Sequence, residues 1–155
     1  MTPADDREPV WMDELDGELC WQLLSRHPVG RIGFVWDGRP HVLPVNHAVD
    51  GAAVVLRTAP GTLLAALRDG QAVTFEVDHT DRALETGWSV VVEGTVMRVS
   101  DPYELARLHG LALHPWAPPE RDLWLRVTAS GITGRAISRR RTSPEGTLLP
   151  YMPPD

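Results

Sequence analysis

The sequence predicts a small antiparallel β-barrel with short helices at its ends and edge. Apolar and polar residues alternate through six or seven short segments, which is the period of a half-buried strand. The dipeptides Asp37-Gly38 and Asp50-Gly51 separate the first of these segments, and such dipeptides join antiparallel strands. Too few strand pairs have a helix between them for a parallel α/β sheet. At 155 residues the chain fits one domain with a substantial core.

The first half of the chain predicts a helix followed by three strands. In DGELCWQLLSRHP, Asp16 is placed to cap the helix, the apolar residues fall on one face and Pro28 ends it. The three strands follow as VGRIGFVW, PHVLPVNHAV and AAVVLRT. A short helix at about 61–69, ended by Gly70, completes this half.

The second half predicts two more strands, a helix and a last strand. The strand AVTFEV and the polar loop DHTDRALETG precede the longest strand, WSVVVEGTVMRVS, in which Gly94 predicts a bulge or bend. The segment DPYELARLHGL predicts the clearest helix, because Asp101 caps it, Pro102 occupies its first turn and Glu104 completes a capping box. After the loop HPWAPPERD, the segment LWLRVT is the last strand, with GITGRAI as a candidate continuation.

The two ends of the chain lack hydrophobic periodicity. Residues 1–12 and 139–155 are proline-rich or charged, so we expect flexible segments that flank a domain at 13–138. The N-terminal segment has neither the basic start nor the apolar middle of a secretory signal. No stretch approaches the ~18 uninterrupted apolar residues of a membrane span. These features predict a cytoplasmic protein that does not engage a membrane.

The composition excludes several kinds of chemistry. A single cysteine, Cys20, allows neither an intrachain disulfide nor a thiolate metal cluster. All 15 basic residues are arginine, so a lysine Schiff base and a phosphate-loop lysine are absent. The net charge of -6 disfavours nucleic acid as a partner. His109 and His114 form no recognised ligand spacing, and we predict no metal site.

The segment RTAPGT has the residue types of an anion site. The Arg57 guanidinium suits a phosphate, Thr58 and Thr62 carry hydroxyl groups, and N–H groups at the start of the following helix favour an anion. The pattern alone is weak, because an arginine at the end of a strand is more often a surface charge. Both interpretations stay open at this point.

Three further positions also have two interpretations each. The Asn46-His47 pair on the second predicted strand faces either a pocket or a turn. Trp88 opens a strand and Trp116 follows a His-Pro turn. An indole at such a place covers a flat ring or fills a subunit interface, and core packing is the alternative.

Taken together, several segments resemble the pyridoxamine 5′-phosphate oxidase-like, FMN-binding split-barrel family, and its small actinobacterial, nitroimidazole-reductase-like members in particular. These segments are VGRIGF, DGRPHVLPVNH, VVLRTAPGTLLAAL, VTFEVD, TGWSVVVEGTVMRVSDPYELARL and PWAPPERDLWLRV. Their order and spacing carry the resemblance, which runs from about residue 13 to 137. It implies a six-stranded antiparallel split barrel that forms a homodimer, with two FMN sites at the interface.

The resemblance also implies a set of cofactor-binding residues. The FMN phosphate would lie against Arg57, Thr58, Gly61 and Thr62, and the isoalloxazine ring along the backbone of Pro44, Val45 and Asn46. Trp88, Ser89 and Trp116 would approach the flavin from the second subunit.

Two departures from the family pattern affect what the resemblance implies. Leu63 occupies a position that is commonly lysine in the family, so one phosphate contact is lost. The arginine-histidine substrate motif of true vitamin B6 oxidases has no obvious counterpart near the C-terminus, which argues against that activity.

The resemblance therefore implies an FMN-binding oxidoreductase that passes electrons between a nicotinamide donor and a small-molecule acceptor. In such enzymes the cofactor carries the redox chemistry, and no side chain is identified as a catalytic acid or base. One alternative is a deazaflavin-dependent reductase. The other is a binding or sensing protein of the same fold that has lost tight flavin binding.

Overall fold

The computed structural model describes residues 10–111, 113 and 123–139 of the chain. That part of the chain forms seven strands, two α-helices and one 3-10 turn. In chain order these are β1 (Val10–Leu15), α1 (Gly17–Arg26), β2 (Val29–Trp36), β3 (Arg39–Val49), β4 (Ala53–Thr58), the 3-10 turn (Leu64–Ala66), β5 (Gln71–Asp81), β6 (Thr86–Val99), α2 (Pro102–His109) and β7 (Leu123–Arg139). Trp116 and His114 lie outside the described residues.

Six antiparallel strands close into a barrel. Their order is β7-β4-β3-β2-β5-β6, and β6 returns to β7. The 17 residues of β7 make this closure possible, because the strand pairs with β4 on one side and with β6 on the other. A seventh strand, β1, is added beside the second half of β7, from the pair Val10–Arg139 to the pair Leu15–Gly134. The predicted six-stranded antiparallel barrel is confirmed, and β1 lies outside it.

Two backbone features predicted from glycine positions are also confirmed. Asp37 and Gly38 have φ values of 48° and 68°, as a tight hairpin turn between β2 and β3 requires. The β6–β7 register shifts between Glu93 and Gly94, which is a β-bulge. A Cβ atom at Gly94 would lie 2.2 Å from the carbonyl oxygen of Thr128, so only glycine allows β7 to approach here.

Both α-helices begin at the predicted aspartates. The Asp16 carboxylate accepts a hydrogen bond from the Leu19 N–H at 2.8 Å, and the Asp101 carboxylate accepts one from the Glu104 N–H at 2.8 Å. The Glu104 side chain accepts from the Arg126 Nε at 2.8 Å, so it joins α2 to β7 as well as lying in the first turn of α2.

A cluster of charges fixes α2 against the barrel. The Asp50 carboxylate, in the β3–β4 turn, accepts hydrogen bonds from Arg107 on α2 and from Arg126 on β7. The Arg107 and Arg126 guanidinium groups hold the pKa of Asp50 well below its usual range. The cluster therefore links three elements that are distant in sequence.

The structure corrects two of the predicted elements. The helix at about 61–69 is only the three-residue 3-10 turn Leu64–Ala66, because Gly61 has a φ of +78° and Leu67 is already extended. The segment predicted as a polar loop is mostly strand, since β5 runs to Asp81 and β6 begins at Thr86. Cross-strand pairing continues there through polar residues, which hydrophobic alternation does not reveal.

The predicted ends of the domain are corrected by a few residues. Strand β1 begins at Val10, inside the N-terminal segment 1–12 that was expected to be flexible. Strand β7 reaches Arg139, the first residue of the predicted C-terminal tail. Both extensions have one cause, because Val10 and Arg139 are partners in the β1–β7 ladder.

The hydrophobic core has two parts. The interior cluster fills the barrel, and α1 contributes Cys20, Leu23 and Leu24 to it. The outer cluster lies outside the barrel wall, where Val55, Val99, Leu108, Leu113 and Trp124 pack together beneath α2. Within the described ranges, no helix has the length and apolar character that crossing a membrane would require.

Candidate functional site

Strands β3 and β4 diverge beyond their short ladder, and we call the gap between their unpaired parts the β3–β4 cleft. Their ladder contains the pairs Val49–Val54, Ala48–Val55 and His47–Leu56, and it ends there. In a continued register Asn46 would lie opposite Arg57, and Val45 opposite Thr58. The divergence therefore places the predicted ring-binding backbone and the predicted phosphate-binding residues on the two sides of one cleft.

Arg57 and Thr58 direct their side chains to opposite faces of β4. Arg57 pairs with Trp124 on β7, and its guanidinium carbon lies 5.0 Å from the centre of the Trp124 ring, beside the outer cluster. Thr58 is 1% exposed and faces the barrel interior. Successive strand residues alternate in this way, so the two side chains do not converge on one point.

The hydroxyl groups of Thr58 and Thr62 are bonded to each other within the turn that follows β4. Their oxygens are 2.7 Å apart, the Thr62 hydroxyl donates to the Ala59 carbonyl at 2.9 Å, and it accepts from the Ala65 N–H at 3.2 Å. Because the single Thr62 proton is directed at Ala59, Thr58 is the donor between the two hydroxyls. Both hydroxyl protons are thus used inside this turn, which we call the Ala59–Leu67 turn.

The three leucines of the turn differ in burial. Leu64 and Leu67 are buried in the interior cluster, and Leu63 is half-buried against it. Leu63 therefore brings no charge to the turn, and part of its side chain contributes to packing.

The structure adds Arg98, a residue that the sequence did not single out. Its Nη2 donates to the carbonyl oxygen of Ala65 at 3.0 Å, so a guanidinium group lies on the Ala59–Leu67 turn. Arg98 follows Val96 by two residues on β6, and Val96 is buried in the interior cluster. This two-residue spacing was the available signal, because it places Arg98 on the inward face at the end of the barrel.

Trp88 and Ser89 lie on a different part of the barrel. They belong to β6, which β2 and β5 separate from β3 and which β7 separates from β4. The Trp88 ring is buried and meets the His27 ring edge-on, with centroids 4.7 Å apart. Both residues line a groove of about 550 Å³ that also includes Met12, Arg135 and Ile137. Within one chain, this groove and the β3–β4 cleft lie on different parts of the barrel.

His47 belongs to the core. It is almost fully buried, and its Nε2 lies 2.9 Å from the Leu24 carbonyl oxygen, so Nε2 carries the proton and donates. The ring meets Phe75 edge-on with centroids 4.7 Å apart. Burial lowers the pKa of His47 to about 4. His47 thus connects α1 to β3 in the neutral form. It faces neither a pocket nor a turn, which were the two interpretations of this position.

Comparison with known proteins identifies the family. The family model described as Pyridoxamine 5′-phosphate oxidase matches residues 16–136. The chain belongs to this family. The match begins at the residue that caps α1 and ends within β7, so it includes the cleft and the Ala59–Leu67 turn and leaves out β1.

Individual relatives match most of this chain. The chain is 36% identical over 147 residues to Uncharacterized protein Rv0080 of Mycobacterium tuberculosis, which covers 91% of this chain and 94% of that protein. A solved FAD binding protein from Mycobacterium smegmatis has a TM-score of 0.70 and 36% identity, covering 81% of this chain and 97% of that one. A conserved protein of unknown function from Corynebacterium diphtheriae has a TM-score of 0.69 and 31% identity, with 81% and 97% covered.

Proposed function

We propose that this protein binds a flavin nucleotide in the β3–β4 cleft and acts as an oxidoreductase on a small molecule. The observation that supports this most directly is the divergence of β3 and β4, between Asn46 and Arg57, in a member of this family. A backbone edge that leaves its ladder offers N–H and C=O groups to the polar rim of a planar ring. The solved relative at 36% identity is described as an FAD binding protein.

The residues around the cleft fit a flavin in three respects. The backbone of Pro44, Val45 and Asn46 would follow the ring. Arg57 lies on the β4 side of the cleft, and the Ala59–Leu67 turn follows β4 directly. When bound, the flavin would supply the electron transfer between a nicotinamide donor and the acceptor. The protein would set access to the ring and orient it, and no side chain is assigned to proton transfer.

FMN is the form of the flavin that we propose first, and FAD is the second candidate. FMN ends in a phosphate monoester with a charge near −2, whereas the pyrophosphate of FAD carries one negative charge on each of its two phosphate groups. The half-buried Leu63 and the internally bonded Thr58 and Thr62 leave the turn with few donors for a dianion. The small number of donors at the turn, together with the FAD-binding relative, makes FAD the alternative.

Freshly purified protein should show the absorption bands of an oxidised flavin. Heat release followed by chromatography of the cofactor will identify it, and titration of the apoprotein with FMN, FAD, riboflavin and a deazaflavin coenzyme will rank the affinities. We expect FMN or FAD to bind most tightly. Preference for the deazaflavin would favour the deazaflavin-dependent reductase. Colourless protein without affinity for any of the four would leave the ligand-binding or sensing function, and the flavin proposal would be wrong.

We also propose that two copies of the chain form a homodimer in the cytoplasm, with Trp88 and Ser89 of one copy beside the cleft of the other. The groove that contains them carries exposed apolar side chains, Met12 at 64% and Ile137 at 39%. Light scattering at micromolar concentration should give the mass of two chains, and Met12→Asp should lower it. A monomeric mass for the native protein would contradict the dimer and remove these two residues from the site.

A further inference from the structure

The Ala59–Leu67 turn lacks the cationic side chain that a phosphate group would favour at position 63. Leu63 is apolar, and the Thr58 and Thr62 protons are used within the turn. Arg57 faces Trp124 on the outer side of the barrel wall. A phosphate that approaches the turn from the inward side of β4 would need its positive charge from another element.

Arg98 lies on that inward side. Across the β6–β7 ladder it pairs with Leu125, and across the β4–β7 ladder Leu125 pairs with Leu56. Paired residues in a ladder share a face, and both leucines belong to the interior cluster. Thr58 follows Leu56 by two residues, so Arg98 and Thr58 share the inward face of the wall, with β7 between their strands.

Hydrogen bonds connect Arg98 to the turn. Its Nη2 donates to the Ala65 carbonyl at 3.0 Å, and the N–H of the same Ala65 donates to the Thr62 hydroxyl at 3.2 Å. Ala65 thus links the Arg98 guanidinium to the Thr62 hydroxyl through two hydrogen bonds. A guanidinium carries five N–H donors, and the bond to Ala65 uses one of them. The side chain is exposed, so the remaining donors are accessible to a ligand.

We propose that Arg98 supplies the cationic contact to the phosphate of the flavin nucleotide that Leu63 does not. This inference rests on the flavin-binding function proposed above. Arg98 would contact the phosphate or pyrophosphate beside the turn from the inward side, whereas Arg57 lies on the outer side of the wall. A guanidinium suits this contact because its planar donors match two phosphate oxygens at once.

Comparison of FMN with riboflavin, which has no phosphate, tests the contact. Arg98→Gln should weaken FMN binding about tenfold and change riboflavin binding by less than about twofold. The native protein's preference for FMN over riboflavin should also decrease with rising salt concentration, and more steeply than the preference of Arg98→Gln. Arg68→Gln is the matched control, because it removes an exposed arginine near the same turn, and it should leave both affinities unchanged.

A second pair of variants separates charge from a structural role. Arg98→Lys should keep part of the FMN preference, and Leu63→Lys added to Arg98→Gln should restore it. Melting temperatures without ligand, measured in parallel, show whether each variant is folded. Equal losses for FMN and riboflavin, or an unchanged FMN preference in Arg98→Gln, would overturn the inference and leave the flavin function standing. If the native protein binds no flavin, the proposed function fails and the inference fails with it.

Discussion

Acidification from pH 7 to pH 4 should lower the free energy of unfolding by on the order of 3 kcal/mol, chiefly through His47. The imidazole is buried against Phe75, and its Nε2 proton is donated to the Leu24 carbonyl. Burial penalises the charged form, which lowers the pKa of His47 to about 4 in the folded protein. In the unfolded chain the pKa returns to about 6.5.

The sign of the effect follows from which state binds the proton. Between about pH 6.5 and pH 4 the unfolded chain binds a proton at His47 that the folded protein does not, so acid favours unfolding. The stabilisation is fully present above about pH 6.5 and is lost as the pH falls towards 4. The slope approaches about 1.4 kcal/mol per pH unit for one proton.

Denaturant unfolding at several pH values will measure this dependence. His47→Gln keeps an N–H donor for Leu24 but does not titrate, so its stability should be nearly flat between pH 6.5 and 4, although lower at pH 7. His79→Gln, which removes an exposed histidine, is the control and should keep the native slope. A native protein equally stable at pH 7 and pH 4.5 would contradict the assignment.

Asp50 does not interfere with this measurement. The Arg107 and Arg126 guanidinium groups hold its pKa below the usual range, so the stabilisation that it gives is present above about pH 4 and is lost only at lower pH. The acid dependence should thus have two stages, the first from His47 and the second from the Asp50 cluster.

Local signals in the sequence predicted most of the fold. Asp16, Asp101 and Asp37-Gly38 each act through their own backbone or that of near neighbours, so their roles can be inferred without knowledge of the tertiary structure. Strand β1 could not be predicted in this way. Its pairing with β7 joins residues more than a hundred positions apart, and its outward residues, such as Met12, show no hydrophobic periodicity.

The geometry of the candidate site was predictable only in part, for a similar reason. The sequence and the family resemblance selected Asn46 and Arg57, and the register of β3 and β4 places both beside one cleft. The internal bonding of Thr58 with Thr62 and the position of Arg98 depend on distances between strands, which spacing in one segment does not contain. The residue types predicted which side chains could donate hydrogen bonds to a ligand. The structure shows which of those protons are already donated to other groups of the protein.

Leu63→Lys should tighten FMN binding by about tenfold, or about 1.4 kcal/mol. The new ammonium group would supply a charge-assisted contact to the phosphate at this turn. Leu63 is half-buried, so the aliphatic part of a lysine can keep much of the packing against the interior cluster while its charged end reaches solvent. The melting temperature without ligand should therefore decrease only slightly.

The matched control is Ala66→Lys, which adds the same charge at an exposed position of the same 3-10 turn. It should leave FMN affinity nearly unchanged, and neither variant should bind riboflavin more tightly. If Leu63 acts mainly as a core residue, Leu63→Lys will instead unfold at a clearly lower temperature without any gain in FMN affinity, because part of a charge is then buried. That result would contradict a phosphate contact at position 63. Equal gains from both lysines would show a general effect of net charge, since only a specific contact distinguishes two positions on one turn.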